Sequence, residues 1–257
     1  MLMLDAVRYE KNGAAIIDDI AFSVKPGEIL GIIGPNGAGK TSVVRALLGD
    51  VKASGSIQFA GRSIAEFSAV ELARHIAVLP QFSALNFPYS VAEVVLLGRT
   101  PHSSGRRIDT DIAHAAMAAL DISYLSGRRY TDLSGGEKQR TQLARVMAQV
   151  WRSADGDPRL LILDEPTSSL DLGHKQQLMQ IVRQFAGDKV AVLLIEHDLN
   201  VVANYADTLL ALQCGRVMAY GSVQEHLTAA MVSDLLGAQV SVVQKNGVKT
   251  VLNTVIA

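Results

Sequence analysis

The chain has 257 residues, 49% of them hydrophobic and only 5% aromatic, which suffices for one large core and excludes a disordered chain. Its 24 Lys and Arg against 25 Asp and Glu leave a net charge of −1, so no global electrostatic case exists for binding nucleic acid or an anionic membrane. One cysteine, Cys214, excludes an intrachain disulfide, residues 1–6 lack a basic segment leading into a long apolar one, and no apolar run nears the roughly 20 residues that cross a bilayer. A reducing cytoplasm is the compartment these features predict.

In chain order, alternation over residues 3–9 and 20–25 predicts two strands of an N-terminal antiparallel element, after which Pro26-Gly27 turns the chain into a run over 28–33. That run is apolar on both faces, as a central parallel strand requires, and residues 40–48 behind it have helical periodicity with Gly49 as a stop. Between them lies Gly34-Pro-Asn-Gly-Ala-Gly-Lys-Thr41, a match to G-x-x-x-x-G-K-[ST] placed between strand and helix, where that motif holds phosphate. Gly34, Gly37 and Gly39 let backbone amides curl around an anion, with Pro35, Asn36, Ala38 and Ser42 completing the loop. Lys40 reaches the outer phosphates, and the Thr41 hydroxyl ligates Mg²⁺.

Residues about 83–155 change character, with helical patterns over 91–98, 109–120 and 136–150 and few strand-like runs, which predicts an inserted helical subdomain. Strand patterns return at 160–163, 190–195 and 208–212, alternating with helices over 173–185 and 199–204. This is the rhythm of a mainly parallel sheet. Residues 239–255 read as two alternating runs around Asn246-Gly247, a hairpin signal. The fold class is therefore α/β: a P-loop NTPase core of about 1–82 and 156–237, a helical subdomain of about 83–155, and a hairpin tail at 238–257.

The apolar run Leu160-Leu-Ile-Leu163 ends in Asp164-Glu165. Asp164 is placed to hold Mg²⁺ through its water shell. Because successive strand residues point oppositely, Glu165 is expected to miss the metal and instead to position or deprotonate the attacking water. A further phosphate-facing element is suggested by Thr131-Asp-Leu-Ser-Gly-Gly-Glu-Lys-Gln-Arg140, where paired glycines at a helix start turn amides toward an anion.

With these motifs in hand, residues 1–237 resemble the nucleotide-binding subunits of ATP-binding cassette transporters. Leu133-Ser-Gly-Gly-Glu137 is identical to that family's signature. Gln81 sits where the family has its Q-loop, Ser169-Leu-Asp171 is similar to the D-loop, His197 to the switch histidine, and Tyr9 to the aromatic that stacks on adenine. The resemblance implies that Gln81 touches Mg²⁺ or the attacking water and that His197 hydrogen-bonds the γ-phosphate. It also implies that Asp171 crosses to a partner subunit, and that Ser134, Gly135 and Gly136 serve ATP held by another copy of the chain. The partners implied are a homodimer, two transmembrane permease subunits, and a periplasmic or surface substrate-binding protein, with the chain peripheral on the cytoplasmic face of the membrane and no nucleic acid bound. The implied cofactors are ATP and Mg²⁺.

Within that family, Leu79-Pro-Gln-Phe82, Phe87-Pro-Tyr-Ser-Val-Ala-Glu-Val-Val95 and Gly98-Arg-Thr-Pro-His102 resemble the importer branch for iron chelates, haem and cobalamin. The long spacer over 149–158 and the tail hairpin resemble its haem-importing subgroup, with ferric siderophore or cobalamin as alternative cargoes. A non-transport cassette ATPase would call for a second cassette, a coiled-coil or zinc insertion, or a basic face. A P-loop kinase would have no use for residues 133–137, 169–171 and His197 together.

Overall fold

The computed structural model describes every residue except 82–84, 86, 152–155, 169, 188, 246 and 254–257. The described chain opens with β1 (Leu2–Lys11), β2 (Ala14–Val24), β3 (Ile29–Ile33), α1 (Lys40–Leu47), β4 (Ser54–Phe59) and β5 (Arg62–Ser63). It continues through α2 (Ala69–His75), β6 (Ile76–Leu79), α3 (Val91–Leu97), α4 (Arg106–Ala119), α5 (Gly135–Gln149), β7 (Arg159–Asp164), α6 (Leu172–Phe185) and β8 (Val190–Ile195). It closes with α7 (Leu199–Tyr205), β9 (Thr208–Gln213), β10 (Arg216–Ser222), α8 (Val223–His226), α9 (Ala229–Leu236), β11 (Val240–Lys245) and β12 (Val248–Asn253). These elements form two compact units, one of Met1–Phe67 with Leu193–Ala257 and one of Ser68–Val192.

The first unit holds an antiparallel sheet of order β2-β1-β4-β5. Beside it β9 runs parallel to β3 and antiparallel to β10, with residues 193–195 of β8 on the other side of β3. All five residues of β3 are buried, as the two-sided apolar run predicts. Gly31 is also needed there for packing, since a Cβ at that position would lie 2.6 Å from Val202 of α7. Ile33, Leu199, Val202, Leu209, Val223, Leu227, Val232 and Leu235 form one core cluster, and Val240 and Val251 of the terminal hairpin pack onto it. Asn200 fixes the hairpin by donating to the Val251 carbonyl (3.2 Å) and accepting from its amide (2.8 Å). The Asn246 of the anticipated turn lies outside the described residues, but β11 and β12 pair antiparallel through to Lys245 and Val248 as that turn requires.

The second unit pairs β6 with β7 in parallel and packs α3, α4 and α5 on one another. Ser90 caps α3 in a reciprocal arrangement with Glu93, whose carboxylate takes the Ser90 amide at 2.7 Å. The elements that the sequence reading did not anticipate are β4, β5, β10, α2, α8 and α9. Among the described residues no helix is long and apolar enough to cross a membrane.

Candidate functional site

In the first unit β3 ends at Ile33 and the loop Gly34–Gly39 delivers α1. The residue before the helix is Gly39 at φ 102°, a left-handed conformation that a side chain resists, and a Cβ there would lie 2.9 Å from Ile17 and 3.1 Å from the Ile16 carbonyl. No side chain caps the start of α1, and no acidic residue stands in its first turn. A helix start left in this way offers backbone amides and the positive end of its dipole to an anion. Lys40 is 7% exposed, and its Nζ donates to the carbonyls of Gly34 (2.7 Å) and Pro35 (3.1 Å), which hold the ammonium against the loop. Thr41 is exposed and Ser42 half-buried beside it.

Tyr9 is half-buried on β1 and faces Ile17 across the β1–β2 pair, the same Ile17 that abuts Gly39. The cross-strand partner of this aromatic thus borders the loop. His197 is exposed immediately beyond β8. Its neighbour Glu196 donates its amide to Ile32 of β3 (3.3 Å), which places the imidazole at the end of the strand that leads into the loop.

In the second unit Gln81 follows β6, and Asp164 is the last residue of the adjacent β7. Gln81 Nε2 donates to Glu165 Oε2 at 2.7 Å, so two of the anticipated catalytic residues are in direct contact. The expectation for Glu165 needs correction in its reason. The residue does not continue the strand alternation, because it lies past the end of β7 with φ 52°, in the left-handed region. Non-glycine residues there cost on the order of 1 kcal/mol or more, and such strain gathers at functional sites. The turn that aims the carboxylate is therefore a backbone kink, and strand pleating plays no part.

The signature also differs in detail from its anticipated form. The helix begins at Gly135, so the glycines are its first two residues and Ser134 is its cap. Ser134 Oγ accepts from the Glu137 amide (3.4 Å), and Glu137 Oε2 accepts from the Ser134 amide (2.7 Å). The Ser134 hydroxyl and then its amide, both bonding the carboxylate, with Arg128 nearby at 3.7 Å, hold the Glu137 carboxyl below the usual carboxylate range. The S-x-x-E spacing that announces this box was present in the sequence and was overshadowed by the glycine pair. Among the described residues the amides of Gly135 and Gly136 bond to no other group in the chain. Gln139 Nε2 ties this helix to the Pro166 carbonyl just after Glu165, at 2.9 Å, a link invisible in the sequence.

Asp171 caps α6 by accepting from the His174 amide and pairs with His174 Nδ1, both at 2.9 Å, and these bonds lower its carboxyl pKa. It therefore has a local task in addition to any contact outside the chain. Of the other anticipated features, Phe82, Ser169 and residues 152–155 of the long spacer lie outside the described residues.

A family model described as ABC transporter matches residues 17–168, more than half of the chain. The chain belongs to the ABC transporter family. It is 46% identical to a hemin import ATP-binding protein, HmuV, of Pseudomonas entomophila (strain L48), over 94% of each chain. It is 42% identical to the protein of that name from Gloeobacter violaceus (strain ATCC 29082 / PCC 7421), over 95% of this chain and 90% of the relative. Among solved structures, it superimposes with a TM-score of 0.82 on a chain described as a metal-chelate type ABC transporter in an inward-facing conformation. That match is 25% identical and covers 99% of this chain and 97% of the other. The ATP-binding cassette MJ1267 in its ADP conformation shares the fold, with a TM-score of 0.79 over 92% of this chain and 97% of that one at 22% identity.

The described residues contain no cluster of three or more His, Cys, Asp or Glu that could hold a metal unaided. A nucleotide-bound Mg²⁺ needs none, because it takes one or two protein oxygens and fills its octahedron with phosphate and water. Of the anticipated ligands, Thr41 in the first unit and Gln81 and Asp164 in the second each carry an oxygen of that hard type. Gln81 spends its amide nitrogen on Glu165, which leaves the amide oxygen to accept or ligate.

Proposed function

We propose that this chain hydrolyses ATP to drive a membrane importer, with haem as the cargo. The observation that carries the ATPase reading is the start of α1, an uncapped helix behind a glycine-rich loop with Lys40 anchored inside it. The cargo rests on kinship alone, namely the hemin import ATP-binding relatives that align over almost the whole chain. A second reading, import of a ferric chelate or cobalamin by the same machinery, has the support of the metal-chelate type structural relative.

On this reading the loop amides and Lys40 bind the β- and γ-phosphates, and Tyr9 stacks on the base. Thr41, Gln81 and Asp164 would hold Mg²⁺, which when bound would neutralise phosphate charge. Glu165, oriented by Gln81, accepts a proton from the attacking water, and His197 donates to the γ-phosphate as charge accumulates there. Ser134, Gly135 and Gly136 present their donors to ATP on a second copy, so two chains paired head to tail enclose two nucleotides by two-fold symmetry. Asp171 belongs to the same junction. Residues about 83–155 act as the helical subdomain that meets two permease subunits, with a binding protein outside the membrane and this chain peripheral on its cytoplasmic face.

The test is reconstitution in lipid with candidate permease and binding-protein partners. Haem-loaded binding protein should raise ATP hydrolysis, whereas stimulation by a siderophore or cobalamin alone would replace haem as the cargo. A chain that hydrolyses no ATP under any pairing would overturn the reading. The role of Glu165 is checked separately: Glu165→Gln should bind ATP, accumulate as a dimer and lose at least about 100-fold in turnover.

A further inference from the structure

The motif Gly98-Arg-Thr-Pro-His102 has no part in the chemistry above, yet its side chains are tied by several hydrogen bonds within the second unit. Gly98 ends α3 directly on the backbone of α5, where a Cβ would stand 2.1 Å from the Arg145 carbonyl. Only glycine permits that approach. The next residue, Arg99, is 4% exposed. Its Nη1 donates to the Ala148 carbonyl (2.8 Å), its Nη2 to Ser104 Oγ (3.1 Å) and its Nε to Asp109 Oδ1 (3.0 Å), while Ser104 Oγ also donates to Asp109 (2.7 Å). His102 Nε2 lies 2.7 Å from the Gln149 carbonyl, which can only accept, so this nitrogen carries the proton. Gln149 in turn donates its side-chain amide to the Ala73 and Ile76 carbonyls at 2.7 and 3.1 Å.

The last carbonyls of a helix lack intrahelical partners and carry the negative end of its dipole, so a guanidinium there is both a cap and a charge complement. A buried ion pair by itself is weak evidence of stabilisation, and hydrophobic packing could hold these helices equally well. What Arg99 adds is directionality: three nitrogens in one plane reach α5, the start of α4 and the loop between, a geometry that Lys lacks. The other end of the fastened helix carries Ser134, Gly135 and Gly136. Fifteen residues of helix span about 22 Å, so a tilt of about 5° at the fastened end displaces the far end by about 2 Å. Displacements of about 1 Å can cost about 100-fold in turnover.

We propose that Arg99 is a positioning residue for ATP turnover, joining the end of α3 to the end of α5 so that the two helices move as one piece and the signature keeps its aim. This rests on the reading of Ser134, Gly135 and Gly136 as phosphate-facing. Force applied at α3 is delivered to the signature through the Arg99 guanidinium, without any contact between Arg99 and nucleotide.

The experiment is steady-state ATP hydrolysis by the full chain, carrying Arg99→Met, Arg99→Lys or Asp109→Asn, each measured well below its own unfolding temperature and alongside the unaltered chain. Arg99→Met should lower kcat by about 10- to 100-fold and leave KM for ATP within twofold, since the phosphate loop is untouched. Arg99→Lys, which retains charge but not the planar fork, should fall between. Should Arg99→Met fail to fold, Arg99→Lys and Asp109→Asn decide the same question through the split between kcat and KM. Lowered melting temperatures with kcat unchanged in every folded variant would overturn the proposal and reduce Arg99 to a stabilising contact. Absence of hydrolysis by the unaltered chain would instead count against the function proposed above.

Discussion

Two helix starts in this molecule look alike in sequence, each glycine-rich and each followed by a charged turn, but they solve the same problem in opposite ways. At α1 no side chain caps the helix, no acid stands in the first turn, and Lys40 donates to loop carbonyls. At α5 the chain satisfies itself, because Ser134 and Glu137 exchange bonds across the first turn. The first start has no side-chain cap of its own and is suited to hold an anion continuously. The second is stable with or without one, which suits a surface that must leave a phosphate and return to it in every cycle.

The comparison can be broken most severely at α1. Lys40→Ala should abolish ATP turnover, by about 1,000-fold or more, with the folded circular dichroism spectrum retained; appreciable turnover would deny the loop its role. A sharper cut separates the two jobs assigned to Ser134. Ser134→Asp keeps a good cap, so the thermal midpoint should hold, yet it sets a carboxylate against the phosphate and should lower kcat by about 100-fold. Ser134→Ala should do the reverse on stability, losing about 1 kcal/mol in denaturant titration. Equal turnover in Ser134→Asp and the unaltered chain would leave α5 as an ordinary capped helix.

The smallest effect is pH-dependent. Glu137 has its folded pKa depressed by the Ser134 bonds, so its contribution to stability is present above the unfolded value of about 4.3 and fades as pH falls through the lower, folded value. Thermal melts of the unaltered chain and Glu137→Gln should therefore differ most at neutral pH and converge below about pH 4. A constant difference across that range would show that the carboxylate charge is irrelevant to the cap.

The loop at Gly34–Gly39 was legible in the sequence because its spacing and its flanking strand and helix are all local. The same holds for Asp164 and Glu165, announced by the apolar run of β7, and for the tail hairpin. The kink at Glu165 was not legible, since a left-handed glutamate has no signal in residue type. Nor was the Arg99 network, which joins positions 99, 104, 109 and 148 and exists only once three helices pack. The missed strands β4 and β10 are half-exposed and lack clean alternation, because each lies toward an edge of its sheet, where burial does not impose a period of two. Asp171 was read for a distant contact when its nearest duty was the adjacent helix end.

The left-handed backbone of Glu165 sets thermal stability against activity at a single position. Glycine would adopt that conformation with less strain, so Glu165→Gly should be neutral or stabilising by up to about 1 kcal/mol, at the loss of the proton acceptor. A mutant library selected only for heat resistance would therefore move away from glutamate here, while one selected for turnover would keep it.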